Sequence, residues 1–343
     1  MSRIIGTGAF CPEIVTDKKF IDIYGKKAMA VSRLLQHHSR YLATDIETGH
    51  CLYSNIEMGY MASRNALEQA NLEAEKIDMI IYSTATPNYI LPPCFALLQE
   101  KLGIKECQGF ELRSGCAGFG TAISIANTYI SAGKAQNVLI VGADLLSTRF
   151  IELLKEKSKI SLKTLFNHMF FGDGAGAIIV SATKGDTKGI LYSEIKSNGA
   201  HYPYGSILEI GGSEHPYPTE NINRERWALH QEANLSERYL PKILIETMKD
   251  IQNKTDIRLE EMDLYIMPVE SAKIKAKVLK ELPFITDNKI FSCGLEGGAL
   301  INAAIPIALD RATRNGKIVN GSKVVIYAAE NTKWQHSVTV IEW

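Results

Sequence analysis

Two parts of the chain share the same order of apolar and polar positions. Residues 60–87, YMASRNALEQANLEAEKIDMIIYSTATP, give a helical spacing of apolar residues, a charged turn and an apolar run. Residues 239–268, YLPKILIETMKDIQNKTDIRLEEMDLYIMP, repeat that order, with EKIDMIIY answered by EEMDLYIM. Apolar runs without alternation are typical of parallel strands buried on both faces. The pattern therefore predicts a helix followed by a buried strand in each part.

The correspondence continues further along the chain. Residues 116–144 and 299–330 each begin with small residues, continue as a predicted helix of about 16 residues, stop at Gly-Lys and end in an apolar strand. This register places Ala299 opposite Cys116. Two similar α/β halves, each starting a buried helix at one centre, predict a duplicated fold with a site between the halves.

The predicted organisation has three segments. Residues 1–170 form an N-terminal half, residues 171–236 a strand and loop region that completes it, and residues 237–343 a C-terminal half. Within residues 150–170, FIELLKEKSKISLKTLFNHMF predicts a basic amphipathic helix. Its lysines either dock an acidic carrier protein or nucleotide phosphates, or form an ordinary solvated face; these are Lys155, Lys157, Lys159 and Lys163.

Composition narrows the class of protein. The 343 residues carry 38 basic and 38 acidic side chains, so charge gives no indication of a nucleic-acid partner. Hydrophobic residues make up 45%, which is typical of a soluble globular protein, and we expect neither a signal peptide nor a membrane span. The six cysteines are scattered without metal-site spacing, so we expect reduced thiols, a cytoplasmic location and no metal site.

The segment RSGCAGFG, residues 113–120, is the strongest candidate for chemistry. If a helix over 117–132 starts beside Cys116, its free N–H groups stabilise a thiolate, and one of them can hold a thioester oxyanion. Gly118 and Gly120 leave room for a substrate. These are requirements of a thiol that forms an acyl-enzyme. The alternative is a buried structural cysteine, the usual fate of a free one.

Several segments together resemble β-ketoacyl-acyl-carrier-protein synthase III and its relatives in the thiolase superfamily. They are RIIGTGAFCPE, IDMIIYSTATP, GCAGFGTAISIANTYISAGKAQNVLIVGADLLS, FGDGAGAIIV and ALINAAIPIALDRATRNGKI. The resemblance implies an α/β, five-layer αβαβα fold, a dimer and a cysteine acylated by a coenzyme A or carrier-protein thioester. That cysteine is Cys116, and the thioester is a substrate rather than a resident cofactor. Leu91 falls where relatives place a dimer-interface residue near the partner's acyl pocket.

The family's decarboxylating members stabilise an enolate with a His in P-H-Q-A-N and an Asn in G-N-T-S. Here MPVESAKI places Val269 at the His position, and GGALINAAIP places Ala299 at the Asn position. Neither side chain can donate a hydrogen bond. Glu270 is either a substitute general base or an ordinary carboxylate at a helix N-terminus. His230 in LHQEANL resembles the lost motif in letters but lies before the second-half helix, so we expect no role for it.

The segment AAENTKW, residues 328–334, stands where relatives have a glycine-rich turn that supplies an oxyanion N–H. Asn331 suits a left-handed backbone, so we expect it to keep the turn and its N–H. Glu330 is expected to bring a carboxylate toward the centre, where it would contact the substrate.

The preferred hypothesis is an acyltransferase. Cys116 accepts an acyl group and passes it to an oxygen, nitrogen or acidic carbon nucleophile, in specialised or fatty-acid-related biosynthesis. The first alternative is a non-catalytic or half-active partner subunit of a heteromeric ketosynthase or acyltransferase. The second is a 3-oxoacyl synthase III of fatty-acid initiation. A homodimer is expected for the acyltransferase and for the synthase III of fatty-acid initiation. A heteromer is expected for the partner subunit.

Overall fold

The computed structural model describes residues 1–154, 159–183, 188–219, 221–267 and 271–343. Strands in these ranges are β1 Ser2–Phe10, β2 Ile14–Thr16, β3 Ser39–Tyr41, β4 Met79–Ser83, β5 Gln108–Leu112, β6 Asn137–Asp144, β7 Gly174–Ala182, β8 Gly189–Ser197, β9 Ser206–Ile207, β10 His230–Gln231, β11 Leu264–Ile266, β12 Ile290–Phe291, β13 Lys323–Ala329 and β14 Gln335–Glu342. Helices are α1 Asp17–Tyr24, α2 Lys26–Ser32, α3 Asn55–Ala70, α4 Cys94–Leu102, α5 Gly118–Ser131, α6 Ile151–Leu154, α7 Leu162–Phe170, α8 Ala233–Lys254, α9 Ala272–Glu281, α10 Gly294–Gly297 and α11 Ala304–Arg314. None of the helices in these ranges has the length and apolar character to cross a bilayer.

Two five-stranded sheets repeat one topology. The first has the order β1-β7-β6-β4-β5 and the second the order β8-β14-β13-β11-β12. In each sheet the last three strands are mutually parallel, and the first two run antiparallel to their neighbours. The duplication that the hydrophobic pattern predicts is therefore confirmed.

The layers follow from the distribution of buried residues. Helices α5 and α11 lie between the two sheets and share one core with both. Helices α3 and α4 cover the outer face of the first sheet, and α8 and α9 cover that of the second. β4 is buried along its whole length, as expected for a parallel strand with helices on both faces. The fold is the predicted five-layer αβαβα arrangement.

The middle segment differs from its prediction in two ways. β8, within residues 171–236, pairs with β14 of the second sheet, so this segment does not complete the first half alone. The sequence predicts one basic helix over residues 150–170, but the structure has two helices, α6 and α7. Residues 160 and 161, which lie between them, are not helical. Lys155 and Lys157 lie outside the described residues, and Lys163 forms an ion pair with Glu232 at 2.9 Å.

The two halves also correspond in a different register from the predicted one. A 3₁₀ turn precedes each central helix, Gly115–Ala117 before α5 and Ile301–Ala303 before α11. The first residue of each turn has a positive φ, 48° and 50°. The structural counterpart of Cys116 is therefore Asn302, and the pairing with Ala299 is wrong. α5 has 14 residues and α11 has 11. An alignment that matches the Gly-Lys pairs after the two helices therefore places the start of the second turn too early in the sequence.

Candidate active site

Cys116 lies in the 3₁₀ turn that leads into α5 and lines a cavity of about 300 Å³. The left-handed φ of Gly115 sets the turn, a conformation that a glycine adopts without the cost a side chain would add. The sequence predicts a cysteine at a helix start facing a site between the halves. The structure places Cys116 at that helix start, and Ala299 of the second half lines the same cavity.

The cavity wall is predominantly apolar and aromatic. Phe166, Phe170 and Phe171, at the end of α7, contribute three rings. Phe166 and Phe170 stack with centroids 5.8 Å apart, and Phe170 and Phe171 meet edge to face at 5.0 Å. Leu244 of α8 and Ile274 of α9 line it too. A wall of this kind favours a hydrocarbon chain, because it offers that chain burial without polar groups to desolvate.

Gly118 serves packing and does not make room for a substrate, which corrects the prediction from the sequence. A Cβ at this position would lie 2.1 Å from Ser83 Oγ and 2.6 Å from Asn302 Oδ1. The absence of a side chain therefore lets the second half of the chain approach α5. The same holds for Gly120, whose Cβ would lie 2.0 Å from Ser337 Oγ.

A buried polar network holds the second turn in place. Asn302 donates its backbone N–H and its Nδ2 to Asp144 Oδ2 at 3.0 and 2.8 Å, and its Oδ1 accepts from Ser83 Oγ at 2.6 Å. All three residues are fully buried. Burial raises the pKa of Asp144, while the donors from Asn302 favour its charged form. The network ties the first and second halves together directly behind Gly118.

Ala299 lines the cavity, and its side chain offers no hydrogen-bond donor there. Its backbone N–H donates to the Phe170 carbonyl at 3.0 Å, and its carbonyl accepts from the Gly172 N–H at 3.1 Å. These two bonds hold Ala299 in the wall of the cavity that Cys116 also lines. An enolate formed in this cavity would receive no hydrogen bond from position 299.

Asn331 lines the cavity through a different feature from the one predicted. The positive φ of this loop is at Trp334, 68°, so Asn331 is not the left-handed residue. Its side chain is held at both ends: Oδ1 accepts from Ser206 Oγ at 2.7 Å, and Nδ2 donates to Ser236 Oγ at 2.7 Å. Ser236 also lines the cavity. Asn331 therefore orients a cavity hydroxyl.

Glu330 directs its carboxylate into its own loop. It accepts hydrogen bonds from the backbone N–H groups of Thr332, Lys333 and Gln335, and from the Thr332 hydroxyl. Its own N–H donates to the Gln335 carbonyl at 2.9 Å, so that N–H is already used within the loop. Glu330 is buried and is absent from the described residues that line the cavity. A Cβ at Gly115 would lie 3.4 Å from Glu330 Oε2, so the carboxylate is close to the turn that holds Cys116. The hydrogen bonds of this side chain shape the loop, and its contact with substrate stays a prediction.

His37 is a cavity residue that the sequence did not single out. It lies in the loop between α2 and β3, is buried, and lines the cavity together with Leu34 and Leu35. Its Nε2 lies 3.3 Å from the Met169 carbonyl oxygen. No motif surrounds it in the sequence, so only the tertiary fold reveals that it shares a cavity with Cys116.

Comparison with known proteins shows what the chain is similar to. The family described as 3-oxoacyl-[acyl-carrier-protein] synthase III matches residues 110–199, which include Cys116 and its helix. β-Ketoacyl-[acyl-carrier-protein] synthase III 1 of Vibrio parahaemolyticus is 29% identical over 331 residues, covering 95% of each chain. The crystal structure of 3-oxoacyl-[acyl-carrier-protein] synthase III from Aquifex aeolicus superposes with a TM-score of 0.82 at 25% identity over both whole chains. The chain is similar to 3-oxoacyl-[acyl-carrier-protein] synthase III over nearly its whole length and shares the fold of that solved structure.

A further solved structure shares the fold of this synthase III-like chain. AbyA1, described as a tetronic acid condensing enzyme, superposes with a TM-score of 0.88 at 22% identity, and the match covers 100% of both chains. At this level of identity the likeness concerns the fold alone.

The remaining predicted positions of this synthase III-like chain fall into three groups. Val269 and Glu270 lie outside the described residues. Leu91 is 80% exposed in a loop and is absent from the described residues that line the cavity. His230 Nε2 lies 2.9 Å from Glu232 Oε1 and 3.2 Å from Lys163 Nζ. His230 thus belongs to a polar cluster with α7 and is absent from the described cavity lining.

Proposed function

We propose that the protein is an acyltransferase that carries an acyl group as a thioester on Cys116. The observation that supports this most directly is the position of Cys116 in the turn before α5, at the wall of an apolar cavity. A thiol at the head of a buried helix is favoured as a nucleophile, because the helix N-terminus stabilises negative charge. The acyl chain would occupy the aromatic wall formed by Phe166, Phe170 and Phe171.

The donor would be a coenzyme A or carrier-protein thioester. A basic groove of about 430 Å³ runs between α8 and α9, next to the cavity that these helices also line. Its cations outnumber its two carboxylates, Glu246 and Glu281; they are Arg238, Lys242, Lys249, Lys277 and Lys280. Such a groove is complementary to an acidic carrier protein or to the phosphates of a nucleotide.

The acceptor would differ from a decarboxylating malonyl thioester. Enolate formation needs a hydrogen-bond donor, and position 299 offers only a methyl group. An alcohol, an amine or an already acidic carbon acid does not require that donor. A place in specialised biosynthesis is part of this proposal, because the acceptor differs from that of fatty-acid synthesis.

The assembly we propose is a homodimer. Tyr89, Ile90 and Leu91 expose apolar side chains on one loop, with Leu91 exposed by 80%. An exposed cluster of this kind favours burial against another chain. In the homodimer, Leu91 would reach toward the partner's cavity.

Acyl loading tests the proposal. The protein is incubated with acetyl-, octanoyl- and lauroyl-coenzyme A, and the intact mass is measured together with that of Cys116→Ala. We expect one acyl adduct that Cys116→Ala abolishes. Cys51→Ala, which removes an exposed thiol, should leave the adduct unchanged. The absence of a Cys116-dependent adduct with every donor contradicts the proposal.

Two alternative functions predict different results when product formation is measured. A half-active partner subunit would form product only together with a second thiolase-fold chain that co-purifies with it. A 3-oxoacyl synthase III of fatty-acid initiation would form a carbon–carbon bond from malonyl thioester by itself. The 29% identity to the Vibrio relative is the observation that favours this last activity.

A further inference from the structure

His37 is positioned by one hydrogen bond to a backbone carbonyl that Arg40 also contacts. Its Nε2 lies 3.3 Å from the Met169 oxygen, which also accepts a hydrogen bond from Arg40 Nε at 2.9 Å. A carbonyl oxygen only accepts, and its two lone pairs serve these two donors. Nε2 therefore carries the ring proton in neutral imidazole, which leaves Nδ1 as the proton acceptor. Phe170, whose ring centroid lies 5.7 Å away, packs against the ring.

The groups around the ring keep it neutral near pH 7. Burial lowers the pKa of His37, and the positive charge of Arg40 lowers it further, as does His38. The Met169 hydrogen bond and the charge of Asp17 act in the opposite direction but do not reverse the shift. Asp17 is paired with Arg40 at 2.6 Å, so much of its charge is compensated. A neutral imidazole is the form that can accept a proton.

Other titratable side chains of the described cavity lining are engaged in other ways. Glu237 and Lys273 form an ion pair at 3.2 Å. Tyr327 is fully buried, and burial raises the pKa of its phenol so that it stays protonated. Cys116 is the group that carries the acyl chain in the proposed function. Among the described residues, His37 is the one histidine that lines this cavity.

We propose that His37 is the general base that deprotonates the acceptor during transfer from Cys116. This inference rests on the proposed function. As an acceptor's hydroxyl oxygen, or the sulfur of a probe thiol, attacks the thioester carbonyl, its proton passes to His37 Nδ1, whereas a neutral amine attacks before it loses a proton. The carbon–sulfur bond then breaks, Cys116 leaves as a thiolate, and that thiolate recovers the proton from His37. No oxidant or further reactant is needed.

The experiment separates loading from transfer. Cys116 is loaded from octanoyl-coenzyme A, excess donor is removed, and loss of the adduct is followed by intact mass after adding N-acetylcysteamine or hydroxylamine. The thiol must lose a proton to attack, whereas hydroxylamine attacks as a neutral amine. The variants are His37→Gln, which keeps a donor for Met169, and His37→Ala with and without imidazole. His38→Gln is the matched control, because His38 is adjacent and its side chain is 69% exposed.

We expect His37→Gln to transfer to the thiol about a hundredfold more slowly, with hydroxylamine transfer unchanged. Because thiol transfer is the reverse of loading from a thioester, we expect loading to be slower too but to reach the same final extent. Between pH 6.5 and 8 the unmutated protein should show a nearly flat thiol rate. The variant's rate should rise about tenfold per pH unit, because it depends on thiolate formed in solution. Imidazole should restore transfer in His37→Ala.

Three results overturn the inference: an unchanged thiol rate in His37→Gln, an equal loss with both acceptors, or loss of the flat profile in Glu270→Gln but not in His37→Gln. A lack of adduct on the unmutated protein contradicts the proposed function itself, and this inference falls with it.

Discussion

The hydrogen bonds of Asn302 give a quantitative prediction for Asn302→Ala. The substitution removes the Nδ2 donor to Asp144, 2.8 Å away, and the acceptor of the Ser83 hydroxyl, 2.6 Å away. A hydrogen bond to a charged group contributes about 1.5–3 kcal/mol, and a buried hydroxyl left without a partner costs about 1 kcal/mol or more. Because all three residues are fully buried, water does not replace the lost partners. We expect the free energy of unfolding to fall by roughly 3 kcal/mol at pH 8.

The cost should depend on pH in a defined direction. Burial already raises the pKa of Asp144 above its usual value, and loss of the Asn302 donor raises it further. The unfolded carboxyl has a pKa of about 3.9. Part of the stability cost of Asn302→Ala exists only while Asp144 is charged. That part is present above the pKa of Asp144 in the folded protein and disappears as pH falls toward the pKa of the unfolded carboxyl. The part due to Ser83 remains at every pH.

Urea unfolding followed by tryptophan fluorescence at pH 8 and pH 5 measures both effects. Asn315→Ala, an exposed position just beyond α11, is the control and should change stability by no more than about 0.5 kcal/mol. A change in Asn302→Ala as small as in this control would refute the network. So would a loss that grows as the pH is lowered from 8 to 5.

Three further predictions concern the loop, the central helix and a buried histidine. Glu330→Gln places an amide donor against backbone N–H donors and should lower the free energy of unfolding by about 2 kcal/mol in the same urea assay. Reduced acyl loading at unchanged stability would contradict the view that Glu330 shapes its own loop. Gly118→Ala should cost about 1–3 kcal/mol by thermal melting, with partial recovery in combination with Ser83→Ala; full tolerance contradicts the close approach. Burial lowers the pKa of His168 to about 3, so the unfolded chain binds a proton first as pH falls below about 6.5, and stability declines. His168→Phe should remove about 2 kcal/mol of that decline at pH 5, measured as the pH dependence of urea unfolding, whereas parallel pH curves would contradict it.

The fold was predictable because its signal is repeated. A buried parallel strand needs a continuous apolar run, and two such runs follow helices of similar spacing in the two halves. Any one run is ambiguous between a strand and a buried helix. Recurrence of the whole order removes that ambiguity, and the mirrored sheet orders confirm it.

The register between the halves was not predictable from the same pattern. Small residues surround both helix starts, so several alignments bring like residues together. The first central helix is three residues longer than the second, and apolar spacing does not show where the additional residues lie. The decisive signal is a backbone one, the positive φ shared by Gly115 and Ile301. An isoleucine gives no indication in the sequence that it adopts this conformation.

The cavity is predictable only in part, for a related reason. Cys116 stands in a recognisable motif, whereas His37 and Phe166 reach the cavity from segments whose sequence carries none. Apolar residues in these segments look like ordinary core. Asn331 illustrates the limit at one position. The sequence singles it out for a left-handed backbone, whereas in the structure it lines the cavity with a side chain that is hydrogen-bonded at both ends.

Duplication supplies two turns with the same backbone, yet only one of them can be a reactive centre. Cys116 opens on the cavity, whereas the Asn302 side chain is tied at its oxygen by Ser83 and at its nitrogen by Asp144. Those bonds hold the Asn302 amide in the interface between the halves, where it stabilises the turn before α11. Ala299 lines the cavity instead. The asymmetry therefore lies in the side chains. One half places Cys116, the proposed nucleophile, at its turn, and the other half has Asn302 at the equivalent position, where it holds the surrounding residues in place. A nucleophile at position 302 would have no cavity to act in, because the buried network occupies its place.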